Sequence, residues 1–355
     1  MAPSWLPTED AAQDALFWPF RQGLLALPDA PVLFLGARPG EWMFTHPPVD
    51  WRCEQSFLPF AQALRDRHIR ADARLDDVGF SLTLGLPPRQ REESRALLAR
   101  AVLATRDGGR VVFAATNAEG ARSLESDLRA LVGMVQSQSK YKSRVVWGEV
   151  TAAQCDRSLL TEWAAFDAPC EVTHGDMRFW TRPGLFAWDR VDPASALLAE
   201  HLPASLSGAV ADLGAGWGYL SLQVLQRCPD ITVADLFEAN ARALEPAQRN
   251  LDLALSGRSN TIGTVHWHDV TCGLPQSYDI ILSNPPFHVG RADLPQLGRA
   301  FLRVAAEALN PHGQVWLVAN RHLPYESLLA ECFGQVDHIT ARDGYKVIRA
   351  REPKR

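Results

Sequence analysis

The sequence predicts an α/β chain in two halves, each of strands alternating with helices, the second intact and the first a worn copy of it. Three observations predict it. A glycine-rich loop, Gly214-Ala215-Gly216-Trp217-Gly218, joins an apolar run to a helical pattern. An Asn284-Pro285-Pro286-Phe287 turn follows another apolar run about seventy residues later. The first half carries both landmarks in eroded form.

In the second half, Asp192-Pro193 opens a helix, with Asp as N-cap and Pro at the first helical position. Residues 209–213 read as a strand and 219–227 as a helix. Glycines in between let a ligand approach the backbone at a helix N-terminus. The spacing is G-x-G-x-G, not the dinucleotide G-x-G-x-x-G, and Asp212 before it is foreign to a nicotinamide site. The next strand, 231–237, ends in Glu238, where an acid holds ribose hydroxyls. Asp235 is a rival, but it lies inside the strand. Asn240 caps the helix that follows. A third strand, 264–268, ends in Asp269, which either meets an adenine amino group or caps the next turn.

Residues 278–282 form a buried strand, and the Asn-Pro-Pro-Phe turn at its end suits methylation of a planar, conjugated amine. The Asn284 side-chain oxygen and the Pro285 carbonyl accept its two N–H bonds. Pro286 stiffens the turn and Phe287 stacks on a flat base. An ordinary strand-ending turn is the plainer alternative. His288 is either a proton acceptor or structural. At the C-terminus, two strands around Asp343-Gly344 read as a hairpin.

In the first half, residues 32–40 parallel 210–218, with Phe34 in place of Asp212 and Arg38 in place of Gly216. Residues 80–88 parallel 280–286, with Leu86 where Asn284 stands. Arg38 puts bulk where a ligand must approach, and Leu86 cannot accept an N–H bond. A helix over 118–132 follows Asn117. Irregular residues 165–185 mark the boundary, giving domains 1–175 and 176–355.

The motifs resemble the class I S-adenosylmethionine (SAM) methyltransferases. The flanks (182–186, 192–198, 317–325 and 344–347) narrow this to the bacterial ribosomal RNA guanine-N2 methyltransferases of the small subunit, which have a large-subunit sister family. The resemblance is strong over roughly 180–350 and faint before that. It implies tandem Rossmann-like domains, a seven-stranded mixed sheet in the C-terminal one and a degenerate N-terminal copy that supports the fold and helps hold RNA. It implies SAM as cofactor, held by Asp212, Gly214, Gly216, Gly218, Glu238, Asp269 and Asn284. The catalytic set is Asn284, Pro285, Pro286 and Phe287. Asp212 either positions the methionine portion through the loop or only caps backbone N–H groups. Ala215 and Trp217 depart from the family loop, which has Cys and a small residue there. Large-subunit RNA, protein glutamine and DNA amino groups are competing substrates, and a noncatalytic RNA-binding assembly factor is a competing role. The Phe at 287 and the duplicated half favour ribosomal RNA.

Composition fits a globular enzyme, with 46% hydrophobic and 22% charged residues. The six cysteines lack a C-x-x-C pair, and neither they nor the ten histidines have metal spacing. No signal peptide or membrane span is evident, so a cytoplasmic location and no membrane partner are expected. The net charge of −5 disfavours binding naked RNA by total charge, so the expected partner is RNA within the assembled 30S subunit. Only four basic residues are lysines. Lys140-Tyr141-Lys142-Ser143-Arg144 and Arg89, Arg91 and Arg95 are candidate RNA patches, with solvated faces as the alternative. Internal duplication provides a pseudo-dimer, so a monomer is expected.

Overall fold

The computed structural model describes residues 10–45, 49–286, 288–289, 292–293 and 295–354. It separates into two units. One takes in residues up to Pro169 with Arg182–Gly184, and the other Cys170–Thr181 with Leu185 onward.

The strands of the first unit are β1 (Val32–Leu35), β2 (Trp51–Glu54), β3 (Ala71–Asp72), β4 (Phe80–Gly85), β5 (Thr105–Thr116), β6 (Gln136–Lys140) and β7 (Ser143–Val150). They form one sheet in the order β3-β2-β1-β4-β5-β7-β6. β1 to β5 run parallel, and β7 is antiparallel to both neighbours. β1 is buried along its whole length, as a parallel strand covered on both faces must be. Helices Arg91–Ala104, Ala121–Val132 and Arg157–Ala165 pack Leu98, Leu128 and Leu160 against Val111 and Phe113. Gly120, at φ 97, separates Ala121–Val132 from a short 3₁₀ turn, Asn117–Glu119.

The second unit opens with a hairpin, β8 (Cys170–His174) and β9 (Met177–Thr181), whose turn holds residue 175. Then come β10 (Gly208–Leu213), β11 (Ile231–Glu238), β12 (Ile262–Trp267), β13 (Tyr278–Ser283), the short pair β14 (His288–Val289) and β15 (Ala292–Asp293), β16 (Leu309–Asn320), β17 (Phe333–Arg342) and β18 (Tyr345–Pro353). The main sheet has the order β12-β11-β10-β13-β16-β18-β17. Written by position along the chain, both sheets read 3-2-1-4-5-7-6. The expected α/β fold of tandem seven-stranded mixed sheets is therefore present. Its core joins Val210, Ile280, Leu282 and Val318 of the sheet to Leu198, Val224 and Leu251 of the helices.

The register identifies equivalent positions. Leu213 pairs with Ser283 across β10 and β13, and Leu35 pairs with Gly85 across β1 and β4. Gly36 thus corresponds to Gly214, and Leu86 to Asn284. Strands diverge from a common carboxyl edge at these residues, where an open α/β sheet binds its ligand.

Candidate active site

The three loop glycines are each required for a different reason. All lie in the left-handed region, with φ of 71° at Gly214, 56° at Gly216 and 93° at Gly218. Gly214 N and Ala215 N donate to Phe237 O at 2.9 and 3.1 Å, tying the loop to β11. Gly218 lies against Leu236, 3.1 Å from where a Cβ would stand. Around a Cβ at Gly216 there is no atom within 4 Å. That open cradle can admit a ligand's backbone-sized portion.

Glu238 frames the cradle. Its Oε2 accepts Gly216 N at 2.9 Å and its Oε1 accepts Asn240 N at 2.7 Å. Burial pushes its carboxyl above the usual range, and these backbone donors pull against that. Each oxygen keeps a further lone pair for a hydroxyl. Asp235 is committed elsewhere: it accepts from Tyr278 Oη (2.8 Å) and Gln276 Nε2 (2.9 Å) and faces His266 Nε2 (3.2 Å). That network occupies both Asp235 oxygens.

Asp212 is buried, and its Oδ2 accepts both Ser221 N (3.1 Å) and Ser221 Oγ (2.8 Å). Of its two expected roles, the geometry displays the capping one. Burial raises its carboxyl to about 7, against the two Ser221 bonds. Asp269 caps the turn Val270–Cys272, accepting Thr271 N at 2.9 Å and Thr271 Oγ1 at 2.7 Å through Oδ1. Trp217 spends its bulk in the core. It is 4% exposed, stacks on Phe179 with centroids 4.0 Å apart, and donates Nε1 to Ala187 O at 3.3 Å. Its carbonyl accepts from Asn250 Nδ2 (2.8 Å), a buried amide that also exchanges bonds with Trp180 in both directions. Sequence reasoning missed Asn250, whose one signal is an amide in the middle of an apolar helical pattern.

Asn284 follows the Leu213–Ser283 pair, where Ser283 Oγ donates to Leu213 O at 2.9 Å. Its Nδ2 donates to Asp192 Oδ2 at 3.0 Å and to Ser195 Oγ at 2.9 Å. Asp192 is the N-cap of helix Pro193–His201, and the same Oδ2 accepts Ser195 N at 2.8 Å. A carboxylate oxygen accepts only, so it selects the amide's NH₂ end. Both amide hydrogens are spent, and Oδ1 is the atom left to accept. This link across some ninety residues was not read from the sequence, although Asp192 and Ser195 were both noted as flank. Pro285 is buried and Pro286 half-buried. Phe287 lies outside the described residues; His288 begins β14.

The equivalent edge of the first unit is closed. Gly36 keeps the left-handed turn at φ 67°. Arg38 pairs with Asp10 at 2.8 Å, and its carbonyl accepts Gln13 Nε2 at 2.5 Å. The Gln13 amide fills the place a Cβ at Gly40 would take. Leu86 is buried and donates its N–H to Leu35 O. Erosion thus goes beyond the three substitutions read from sequence, because helix Ala11–Arg21 also lays the Gln13 amide against Gly40, the counterpart of Gly218. Of the Arg89, Arg91 and Arg95 patch, Arg91 and Arg95 pair with Asp127, and Arg95 lies 4.4 Å over Trp163. Both thus have a partner within their own unit.

Among the described residues no group of three His, Cys, Asp or Glu is placed to hold a metal, and no helix is long and apolar enough to cross a membrane. The methyltransferase small domain model matches residues 176–349. The chain is 31% identical to a ribosomal RNA small subunit methyltransferase C of Pseudomonas paraeruginosa, over 80% of this chain and 83% of that one. The chain belongs to the ribosomal RNA small subunit methyltransferase C family. A family member from Psychromonas ingrahamii is 28% identical, over 81% of this chain and 82% of its own. The T. thermophilus 16S rRNA N2 G1207 methyltransferase, solved in complex with AdoMet and guanosine, matches the structure with a TM-score of 0.80 at 25% identity. That match covers 97% of this chain and 92% of that one. The tandem fold is thus the family's fold.

Proposed function

We propose that this chain transfers a methyl group from SAM to the exocyclic N2 of a guanine in 16S rRNA. The observation that carries the reading is the clamped Asn284 amide: Asp192 and Ser195 take up its NH₂ end, leaving Oδ1 as the acceptor. Family membership and the match to a guanosine-bound 16S rRNA enzyme support the same substrate.

The chain's residues divide the work. Gly214, Gly216 and Gly218 provide backbone room for SAM, and Glu238 takes its ribose hydroxyls. Asp212 secures the first turn of the helix behind the loop, and Asp269 shapes the adenine end. Bound SAM supplies the electrophilic methyl carbon. Asn284 Oδ1 and the Pro285 carbonyl accept the two N2 hydrogens and aim the nitrogen lone pair at that carbon. Pro286 stiffens this turn and Phe287 covers the base. The new N–C bond forms as the old C–S bond breaks, and the nitrogen then releases a proton. The conjugated amine is a weak nucleophile, so the barrier falls through alignment and exclusion of water. The substrate is the 30S particle rather than free RNA, in keeping with the acidic chain, and the enzyme acts as a monomer in the cytoplasm.

Asn284→Ala tests the reading. SAM affinity by calorimetry should stay near wild type while methyl transfer falls by orders of magnitude. Loss of SAM binding would make the turn structural, and retained transfer would remove Asn284 from the mechanism.

A further inference from the structure

The hairpin tip between β6 and β7 is built against its own backbone preference. Tyr141 and Lys142 occupy the turn at φ 52° and 54°. Large side chains avoid this region, which two-residue hairpin turns fill with Asn-Gly or Asp-Gly. The second unit makes the corresponding turn, between β17 and β18, with Asp343 at φ 53° and Gly344 at φ 85°. One copy of the fold therefore uses the residues the geometry wants, and the other places an aromatic and a cation there. A strained position kept with bulky residues points to what those side chains do.

Their surroundings say what that is. Tyr141 is 50% exposed, and Lys140 and Lys142 are exposed beside it. These are two of the chain's four lysines. Arg21 lies 6.0 Å from the Tyr141 ring, and Lys140 Nζ lies 4.9 Å over Trp18. Arg21 and Arg144 are engaged by Asp14 and Glu125, whereas Lys140 and Lys142 make no ion pair among the described residues. β6 itself, Gln-Ser-Gln-Ser-Lys, is an exposed polar edge strand. Thr116 at the end of β5 pairs with Ser143, so the tip stands at the carboxyl edge of its sheet. Unpaired cations around an exposed ring match a nucleic-acid strand, which offers phosphates and flat bases together.

We infer that the Lys140–Lys142 tip is an rRNA-docking surface, its lysines on phosphates and Tyr141 against a base. The inference rests on the 16S rRNA reading above and names the chain's contact to that partner outside the catalytic unit. The test is Tyr141→Asn combined with Lys142→Gly, which gives the turn its preferred residues. The double variant should be at least as thermally stable as wild type and bind SAM equally. Its affinity for 16S rRNA and for 30S subunits should fall about ten-fold, the loss expected for one stacked base with a phosphate contact. The slope of log affinity against log salt should become shallower by about 1. Unchanged affinity and slope would overturn the inference. So would a loss of affinity with an unchanged salt slope, since no phosphate contact would then have been removed. Wild-type enzyme that binds RNA yet labels no guanine would instead fail the catalytic reading and leave this binding comparison standing.

Discussion

Replacing Asp192 is the most informative perturbation of the catalytic unit, because Asp192 touches the proposed catalytic amide and a helix end at once. Its Oδ2 receives Asn284 Nδ2 at 3.0 Å and Ser195 N at 2.8 Å. A hydrogen bond to a charged group contributes about 1.5–3 kcal/mol, and each 1.4 kcal/mol is tenfold. If that bond serves to hold Oδ1 toward the substrate, Asp192→Ala should lower kcat by about 10–100-fold. The same change removes an N-cap, costing about 1 kcal/mol of stability. Asp192→Ser separates the two effects, since serine caps well but brings no carboxylate to Asn284. The assay is kcat at saturating SAM and 30S subunits, with SAM affinity and thermal melting measured in parallel. Asp192→Ser should keep the melting temperature and SAM affinity and lose most of the rate, while Asp192→Asn, which retains an acceptor, should recover part of it. Full kcat in a folded Asp192→Ser enzyme would refute the clamp.

Three further outcomes follow from the geometry. Gly216→Arg, which copies Arg38 of the worn unit, should abolish SAM binding in a folded protein, because it fills the open cradle at φ 56°; unchanged affinity would undo the cofactor assignment. Calorimetry should give one SAM per chain, and Arg38→Gly with Leu86→Asn should leave it at one, since Phe34 still stands for Asp212 and Gln13 still crowds Gly40; a second site would contradict that account of erosion. Asp212 is raised to about 7 in the folded state against an ordinary 3.8. The native state therefore binds the extra proton between these values, and its stability declines as pH rises from about 4 to 7, by up to about 4 kcal/mol. Asp212→Asn should gain on wild type in ligand-free melts as pH goes from 5 to 8, and a pH-independent difference would show that Asp212 is ionised throughout.

The parts of the molecule legible in sequence were those encoded locally. A buried parallel strand is a continuous apolar run, so β10 and β13 stood out, and the glycines and prolines that end them punctuate the chain. The choice of Glu238 over Asp235 followed from position along one strand, and Asp235 is engaged by Tyr278 and Gln276. What stayed hidden were contacts between segments distant along the chain. Nothing near Asn284 announces Asp192 or Ser195, because an Asp-Pro pair reads fully as a helix start. Gln13 lies in a helix that no local pattern ties to the worn loop, yet its amide packs against Gly40. Trp217 stood out in the sequence only as a departure from the family loop; its packing against Phe179 reveals that its ring belongs to the core.

The central claim is tested most directly by incubating the purified chain with tritiated SAM and unmodified 30S and 50S subunits in parallel, then resolving the labelled nucleosides. The account predicts label in 16S rRNA of the 30S subunit, recovered as N2-methylguanosine. Label in 50S alone, in another nucleoside, or in neither particle would contradict it.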